Sequence, residues 1–405
     1  MPDSTPTVPA LLRALHERSR ALGIGPPAAF LGDWCGSSAV IIPSVDLRPT
    51  RPEQVFSVAG DLVVVGFRSF PDHVPDDAPL LPAAVRGTAT GRLTLAPDGR
   101  WRGDGTAPDP HEVVRRYGPP SSGGAGDDGD DGDDDEVGIP LTWAAPDRRA
   151  HRRAVVDCLE AIRAGEVYQT CLSTRLDGRL RADPLETFLS LARRAPAARS
   201  AYLEGEWGAV LAFSPEEFLV RTGDDVRTSP IKGTVPADRD PAELLASAKD
   251  VAENIMIVDL ARNDLGRVAD VGSVRVSDLL AVRPAPGVHH LVSTVTARTS
   301  VDHDALVAAT FPPASVTGTP KQRARELIAG WEPRSRGLHC GTYGFATADT
   351  LDLAVAIRTL EVAPDGRCEL GVGGGITIDS DPDAEWDECV HKAAFTWGGG
   401  PAPWL

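Results

Sequence analysis

The chain has 405 residues, of which 42% are hydrophobic, so it can bury a large core and is long enough for two domains or one large one. Its formal net charge of −17 and the lack of a basic stripe argue against a nucleic-acid partner. The six cysteines form no CxxC pair, and the first residues show no targeting pattern. No window of about eighteen residues is wholly apolar. Together these features predict a soluble, cytoplasmic protein without a membrane partner.

The first 120 residues predict a β-rich N-terminal region that begins with one helix. Pro9–Leu22 has the apolar spacing of an amphipathic helix, and Gly23 is expected to end it. Three runs rich in apolar or β-branched residues predict strands at residues 39–42, 61–67 and 92–95. This region carries no catalytic signature.

Residues 121–137 form an acidic segment rich in Asp and Gly, with eight negative charges between Asp127 and Glu136. Such a composition cannot bury apolar surface, which predicts a flexible insertion. A calcium-binding loop is the alternative. It is disfavoured because neither flanking helices nor a closing glutamate at the required spacing accompany these aspartates.

The remaining residues, 138–405, are predicted to form the catalytic domain, which begins with a helix and a strand. The apolar spacing of His151–Ala164 indicates a helix that Gly165 ends. The run Glu166–Ser173 alternates as a strand does, and it carries Gln169. Taken alone, a glutamine on a strand is most often an ordinary polar residue.

A hairpin is predicted next, from Phe218–Arg221 and Val226–Thr228, and it leads into the stretch that contains Lys232. Pro230 keeps the residue before it extended and Gly233 permits a turn, so we expect Lys232 at the mouth of a turn. A lone lysine on a loop is most often merely solvated. The interpretation of Lys232 therefore depends on the motifs around it.

Seven further motifs accompany the stretch Pro230–Thr234. They are Ser214–Glu216, a predicted helix over Val251–Arg267, Val288–Ser293, Thr317–Lys321, Ala356–Thr359, Gly373–Ile376 and Glu385–Lys392. In order and in spacing, these motifs resemble those of the chorismate-utilising enzymes over about residues 150 to 400. The resemblance implies a mixed α/β fold in which antiparallel sheets lie inside and helices lie outside.

The resemblance also implies roles for individual residues. Chorismate would contact Gly233, Thr234, Thr317, Gly318, Tyr343, Arg358, Gly373, Gly374, Gly375 and Lys392. Mg²⁺, a hard cation, would be held by the carboxylates of Glu253, Glu385 and Glu388. Glu216 would be the general acid, which requires burial to raise its pKa, and His290 would lie near the substrate ring. Gln169 stands where water-using members of the family carry a basic lysine, which favours ammonia as the nucleophile.

Lys232 distinguishes the branches of the family. Component I of the aminodeoxychorismate synthases resembles this chain in having lysine at this position, whereas anthranilate synthases usually have alanine. The resemblance implies that Lys232 attacks C2 of chorismate, that the C4 hydroxyl leaves, and that ammonia then enters at C4 and expels the lysine. The product would be 4-amino-4-deoxychorismate, on the way to p-aminobenzoate. Anthranilate synthesis is one alternative, and a catalytically inactive homologue is another.

The nitrogen source is predicted to lie outside the chain. None of the six cysteines stands in the Gly-x-Cys-x-Gly context of a triad glutaminase. We therefore expect ammonia to come from a separate glutamine amidotransferase subunit.

Overall fold

The computed structural model describes residues 5–72, 74, 77–119 and 140–404. The acidic segment, residues 121–137, lies outside the described residues. Its flexibility therefore stays a prediction, as do the domain boundaries drawn beside it. Within the described part of the chain, no helix is both long and apolar enough to cross a membrane.

The described residues form strands and helices along the whole chain. The strands are β1 (Ala28–Trp34), β2 (Ser37–Ile42), β3 (Arg48–Pro49), β4 (Val63–Arg68), β5 (Ala84–Ala89), β6 (Gly91–Leu95), β7 (Trp101–Gly105), β8 (Leu141–Trp143), β9 (Gln169–Leu180), β10 (Arg199–Gly205), β11 (Gly208–Ser214), β12 (Glu217–Thr222), β13 (Asp225–Thr228), β14 (Ile231–Pro236), β15 (Arg275–Ala285), β16 (Val288–Arg298), β17 (Gly318–Thr319), β18 (Thr342–Ala346), β19 (Thr350–Val355), β20 (Thr359–Val362) and β21 (Arg367–Ile376). The helices are α1 (Val8–Leu22), α2 (Pro110–Tyr117), α3 (Arg148–Arg163), α4 (Pro184–Arg194), α5 (Ala242–Ala246), α6 (Ala248–Gly266), α7 (His303–Thr310), α8 (Lys321–Trp331) and α9 (Pro382–Ala393).

The strands form two antiparallel sheets. The first has the order β17-β9-β21-β20-β11-β10-β1-β2-β6-β7, with β8 paired to β9. The second has the order β14-β16-β13-β12-β19-β18-β4-β5-β3, with β15 paired to β16. Each sheet therefore combines strands that precede residue 120 with strands that follow it.

An apolar core between the two sheets holds them together. On β4, Val65 and Phe67 lie in this core, whereas Val64 points to the opposite face and joins the core that includes α6 and α7. Phe30 of the first sheet meets Phe345 of the second, with ring centroids 5.1 Å apart. The predicted architecture, with antiparallel sheets inside and helices outside, is confirmed.

Most predicted elements of the chain are present with slightly different ends. Helix α1 begins after the cap Thr7 and ends at Gly23, whose φ of +63° is the left-handed conformation that glycine adopts readily. The predicted N-terminal strands correspond to β2, β4 and β6, and the predicted hairpin is β12 with β13. The strand predicted to start at Glu166 starts instead at Gln169.

The expectation that Lys232 lies at a turn is wrong. Lys232 lies within β14, where the pairing with β16 shifts register between Ile231 and Thr234. Gly233 has a φ of +87°, so its left-handed conformation produces a bulge in a continuing strand. The bulge alters the direction of the side chains beside it.

A buried ion-pair cluster links the two sheets. Arg199 of β10 pairs with Asp352 of β19, and its Nη2 lies 2.7 Å from Oε2 of Glu217 on β12. Arg199 is 3% exposed and Asp352 is fully buried. The guanidinium also lies 4.8 Å from the ring centroid of Trp34. Losing the arginine would leave the buried Asp352 without an ion-pair partner among the described residues.

Arg199→Gln should therefore lower the free energy of unfolding by about 3 to 5 kcal/mol, because it leaves Asp352 unpaired in the core. The control is Arg13→Gln, which breaks a half-exposed ion pair with Glu186 and should cost less than about 1 kcal/mol. Urea denaturation of both variants measures the difference. Equal losses would contradict the structural role of Arg199.

Candidate active site

A cavity of about 520 Å³ lies between the two sheets' neighbouring edges, and β14, β21, α6 and α9 contribute to its wall. Most of the predicted site residues line it. They are Glu216, Lys232, Gly233, Thr234, Glu253, His290, Arg358, Gly373, Gly374, Gly375, Glu388 and Lys392. The fold therefore brings together residues that are far apart in the sequence.

The glycine run at the end of β21 forms one side of the cavity. Gly373, Gly374 and Gly375 pair with consecutive residues of β9. A Cβ atom on Gly373 would lie 2.2 Å from the carbonyl oxygen of Leu172, and one on Gly375 would lie 2.7 Å from Nε2 of Gln169. No larger residue fits at these two positions without a shift in its neighbours, so bare backbone faces the cavity here.

Two cations in the cavity have no carboxylate partner. Among the described residues, the ion pairs of the cavity wall involve Lys249 and Lys392, and no carboxylate lies within ion-pairing distance of Lys232 or Arg358. Burial lowers the pKa of Arg358 below its ordinary value. Because a charge removed from water needs a partner, this arrangement favours an anionic ligand.

A larger groove on the outer side of α6 has this property only at Arg267 among the described residues, because its three other basic side chains are ion-paired. It has a volume of about 1660 Å³ and is lined by α6 and α8. Its Lys321 lies 2.5 Å from a carboxylate oxygen of Asp264, and its Arg325 lies 2.6 Å from one of Asp72. These charges are already neutralised, so the smaller cavity is the better candidate for binding an anion.

Glu216 has the protonation behaviour that a general acid needs. It is 5% exposed, and burial raises its pKa to about 7, against the opposing effects of a hydrogen bond with Ser315 and the charge of Lys232. A carboxyl group with this pKa is partly protonated at neutral pH. It can therefore donate a proton to a leaving oxygen.

Three carboxylates approach the glycine run from α6 and α9. Oε2 of Glu253 lies 3.5 Å from the Cβ position built on Gly375, and Oε2 of Glu385 lies 3.0 Å from the one built on Gly374. Burial raises the pKa of both groups. Burial also disfavours the ionised form of Glu388, but Lys392, whose Nζ lies 2.5 Å from Oε1, outweighs it and the pKa of Glu388 is lowered.

These carboxylates are chemically suited to a hard cation, although they are not a preformed cluster. The described residues contain no group of three or more His, Cys, Asp or Glu side chains placed to hold a metal ion. Oε1 of Glu253 is nevertheless buried, and no described residue forms a hydrogen bond with it. Nζ of Lys249 lies 3.9 Å from Oε1 of Glu253 and 4.0 Å from Oε1 of Glu385, so this space attracts a cation. Because the Lys249 side chain is half-exposed, it can move out of this space and make room for a metal ion.

The helix that carries Glu253 is anchored by its neighbour in sequence. Nδ2 of Asn254 donates to the carbonyl oxygen of Leu291 at 3.1 Å, and Oδ1 of Asn254 accepts from Oγ of Ser293 at 2.5 Å. Both partners are on β16, which pairs with β14. These bonds hold Glu253 and Lys232 on the same side of the second sheet.

His290 is a neutral member of the cavity wall. Burial, and then the charges of Arg358 and His289, lower its pKa to about 4. Its Nδ1 and Oγ1 of Thr234 are hydrogen-bonded at 2.8 Å. The imidazole is therefore available at neutral pH as a neutral hydrogen-bonding group.

Three predicted residues lie behind or beside the wall. Gln169 is 1% exposed, its Nε2 approaches Gly375, and its Oε1 has no hydrogen-bond partner in the described part of the chain. Oγ1 of Thr317 donates to carbonyl oxygens of its own turn, and Gly318 pairs with Thr170 of β9. Thr317 and Gly318 therefore shape the wall through the backbone.

Tyr343 lies outside the cavity. It is fully buried in the core between the sheets, and its hydroxyl donates to the carbonyl oxygen of Arg199 at 2.5 Å. This geometry assigns it a structural contact, and does not bring its hydroxyl together with the other predicted site residues.

The cavity also contains residues that the sequence analysis missed. Lys249, Cys171, His339 and Cys340 all line it. Cys171 could have been found, because it lies two residues after Gln169 on the same strand and alternate residues share a face. No pattern in the sequence around His339 indicated that this residue lines the cavity. Its ring is placed by a contact with the backbone of Gly371, where a Cβ would lie 2.2 Å from Cγ of His339.

Comparison with known proteins identifies the family of the chain. A family model described as chorismate binding enzyme matches residues 133–397. The chain is 44% identical over 243 residues to aminodeoxychorismate synthase component 1 of Escherichia coli (strain K12), covering 58% of this chain and 53% of that protein. It is also 44% identical over 245 residues to anthranilate synthase component 1 of Streptomyces coelicolor, covering 58% of this chain and 48% of that protein. The chain thus spans about half the length of these curated relatives.

Solved structures show the same fold. Anthranilate synthase component I from Streptococcus pneumoniae TIGR4 superposes with a TM-score of 0.72 at 24% identity, covering 85% of this chain and 84% of that one. The menaquinone-specific isochorismate synthase of Escherichia coli superposes with a TM-score of 0.71 at 18% identity, covering 98% of this chain and 91% of that one.

Glu216 should titrate with a midpoint near pH 7, and Lys232→Met should raise this midpoint, because it removes a charge that favours the carboxylate. The control is Lys249→Met, since Lys249 acts on Glu253 and Glu385 and should leave the midpoint of Glu216 in place. Infrared difference spectra of the carboxyl band, assigned with Glu216→Gln, follow the titration. An ordinary midpoint near pH 4.5, or no rise in Lys232→Met, would contradict this electrostatic description.

Proposed function

Because the chain belongs to the chorismate binding enzyme family, we propose that it acts as an aminodeoxychorismate synthase component I, which converts chorismate and ammonia to 4-amino-4-deoxychorismate. The observation that carries this proposal is Lys232, a lysine without a carboxylate partner among the described residues, in the same cavity as Glu216. Relatives named for two different reactions match this chain at equal identity. Overall similarity therefore does not separate the reactions, and Lys232 is the feature that supports amination at C4.

The cavity is suited to a dianionic substrate. Arg358 offers a planar guanidinium that can bind a carboxylate with two hydrogen bonds. The bare backbone at Gly373–Gly375 allows close approach of the ring, and Nζ of Lys392, which pairs with Glu388, also donates to the carbonyl oxygen of Gly373 at 2.7 Å. Lys232 and Arg358, which have no carboxylate partner among the described residues, favour an anionic substrate in this cavity.

Mg²⁺ is the proposed metal, and Glu253, Glu385 and Glu388 are the residues that would hold it. The orphaned buried oxygen of Glu253 and the oxygen-only donor set support this assignment. When bound, Mg²⁺ would bind and orient a substrate carboxylate and polarise it as a Lewis acid.

Lys232 and Glu216 would then carry out the separate chemical steps of the reaction. After Lys232 has lost its ammonium proton to solvent, its amine attacks C2 of chorismate, the two conjugated ring double bonds shift, and the C4 hydroxyl leaves as water with a proton from Glu216. Ammonia attacks C4 of the adduct, both double bonds shift back, the C2–nitrogen bond breaks to release Lys232, and the ammonium group formed at C4 returns a proton to Glu216. The net change is chorismate plus ammonia to the C4 amine plus water. Gln169, a neutral side chain, cannot serve as a base that activates competing water.

Ammonia is proposed to come from a separate glutamine amidotransferase subunit, since no cysteine of the chain has the sequence context of a triad nucleophile. Anthranilate synthesis is the second candidate, supported by the equally similar Streptomyces coelicolor relative. In that reaction nitrogen enters at C2 without a lysine adduct.

Product analysis tests the central proposal. From chorismate, Mg²⁺ and ¹⁵N-ammonium, the chain should form 4-amino-4-deoxychorismate, and Lys232→Ala should reduce this product by at least about a thousandfold because the nucleophile is lost. Lys232→Arg is the matched control for charge, and it should be equally impaired. Liquid chromatography with mass spectrometry identifies the carbon aminated. Anthranilate as the main product, or C4 amination by Lys232→Ala, would contradict the proposal.

Glu253→Gln and Glu388→Gln should each raise the Mg²⁺ concentration needed for half-maximal turnover by at least about tenfold, because each removes one charge from the proposed ligand set. Asp387→Asn is the control, since Asp387 is an exposed carboxylate on the same helix as Glu388. Magnesium titrations of turnover and of binding heat measure the effect. Full activity in excess chelator would rule out the metal.

The purified chain supplied with chorismate, Mg²⁺ and glutamine, without ammonium salt, should form almost no C4 amine. Adding ammonium at alkaline pH should restore product, because more ammonia is then unprotonated. Rapid amination from glutamine alone would show that the chain contains its own glutaminase site.

A further inference from the structure

Lys249 is a basic residue of the cavity wall that the proposed reaction does not use. Its Nζ lies 3.9 Å from Oε1 of Glu253 on α6 and 4.0 Å from Oε1 of Glu385 on α9, so one ammonium group pairs with carboxylates of two different helices. Both carboxylates are buried, whereas the Lys249 side chain is 46% exposed. Lys249 therefore reaches from the surface to two of the three proposed metal ligands.

The place of Lys249 in its own helix is unfavourable for a cation. Lys249 lies in the first turn of α6, directly after the cap residue Ser247 and Ala248. The N-terminal end of a helix carries partial positive charge, which repels a basic side chain there. The two carboxylates supply the attraction that the helix does not. The charge of Lys249 is therefore held by Glu253 and Glu385.

The cavity contains a second lysine beside the proposed ligands, and it is held more firmly. Nζ of Lys392 lies 2.5 Å from Oε1 of Glu388 and donates to the carbonyl oxygen of Gly373 at 2.7 Å. The two contacts of Lys249, at 3.9 and 4.0 Å, are longer than hydrogen bonds. Of the two lysines, Lys249 is therefore the one that an incoming cation can displace.

The carboxylates keep their positions without help from Lys249. Oε1 of Glu385 accepts a hydrogen bond from Oγ of Ser380 at 2.6 Å, and Glu388 is paired with Lys392. Glu253 belongs to the helix that Asn254 anchors to β16. Removing the Lys249 charge would therefore leave the acidic groups in place and more strongly attractive to a cation.

We propose that Lys249 is a tethered counter-cation, which neutralises part of the metal site until a divalent ion displaces it and thereby reserves the site for divalent ions. This inference rests on the proposed function, because it takes Glu253, Glu385 and Glu388 as the metal ligands. In ionised form these three carboxylates and Lys392 carry a net charge of −2, which Lys249 reduces to −1. A divalent ion neutralises the −2 completely. A monovalent ion would only replace one positive charge with another, so it gains nothing from the exchange.

Lys249→Met tests the competition, because it removes the charge and keeps most of the length of the side chain. Isothermal titration calorimetry without substrate should show a Kd for Mg²⁺ at least about threefold lower than that of the wild-type chain, because the ion no longer breaks two ion pairs. Lys249→Arg keeps the charge and should bind Mg²⁺ within about twofold of the wild-type chain.

Arg262→Met is the matched control for charge. It removes a cation from the same helix, where Arg262 pairs with the exposed Asp259 at 3.1 Å, and should change the Kd by less than about twofold. Thermal denaturation gives a second measurement. A fixed Mg²⁺ concentration should raise the Tm of Lys249→Met by more than it raises that of the wild-type chain, because tighter binding stabilises the folded state more.

The selectivity is tested by repeating the titrations in potassium chloride and in tetramethylammonium chloride at the same ionic strength, so that screening is equal. In Lys249→Met, K⁺ can enter the space that the ammonium group occupied, whereas the larger organic cation is excluded. Potassium chloride should therefore weaken Mg²⁺ binding more than tetramethylammonium chloride does. In the wild-type chain the two salts should have equal effects.

The outcomes separate this inference from the metal assignment. If Glu253→Gln abolishes Mg²⁺ binding but Lys249→Met binds Mg²⁺ no more tightly than the wild-type chain, the role of Lys249 is overturned and the metal site stands. Equal effects of the two salts on Lys249→Met would also overturn it. Absence of Mg²⁺ binding from both the wild-type chain and Lys249→Met would overturn the metal assignment and the role of Lys249 together.

Discussion

The site depends on the close approach of side chains to bare backbone at Gly373–Gly375. The long antiparallel pairing of β21 with β9 sets this run opposite Ser173, Leu172 and Cys171. With no Cβ in the way, Lys232 reaches the run from the second sheet, and the acidic side chains of α6 and α9 reach it from outside. A single larger side chain at Gly375 would overlap Gln169 and press on Lys232. The glycines therefore limit where Lys232 and the carboxylates of α6 and α9 can lie.

Burial sets the protonation states of the ionisable groups in the cavity. It holds Glu216 partly protonated near neutral pH and keeps His290 neutral, while Lys232 and Arg358 remain without carboxylate partners among the described residues. The same low-dielectric wall that raises the pKa of Glu216 strengthens the attraction of the two cations for an anion. The carboxylates around Lys249 form a separate negative region beside them. One small cavity thus offers a place for an anion and a place for a cation.

Much of this arrangement could be predicted from the sequence, because the motifs specify residue types that the chemistry needs. The resemblance gave the architecture, and most of the predicted site residues do line one cavity. The sequence could not show that Gly233 makes a bulge within β14 instead of a turn, since a left-handed glycine is compatible with both. The sequence also could not show that Tyr343 is buried in the core between the sheets, or that Lys249, His339 and Cys340 line the cavity. These placements depend on contacts between residues that are distant in the sequence.

The most direct test of the account is to look for the covalent adduct on Lys232. The chain is mixed with chorismate and Mg²⁺ without ammonia, quenched in acid, reduced with borohydride and digested for mass spectrometry. The account predicts that the peptide with Lys232 gains the mass of chorismate less one water, apart from any hydrogens added by the reduction, and that added ammonia removes the adduct. An unmodified Lys232 peptide, in a chain that aminates chorismate at C4 when ammonia is supplied, would contradict the covalent role of Lys232.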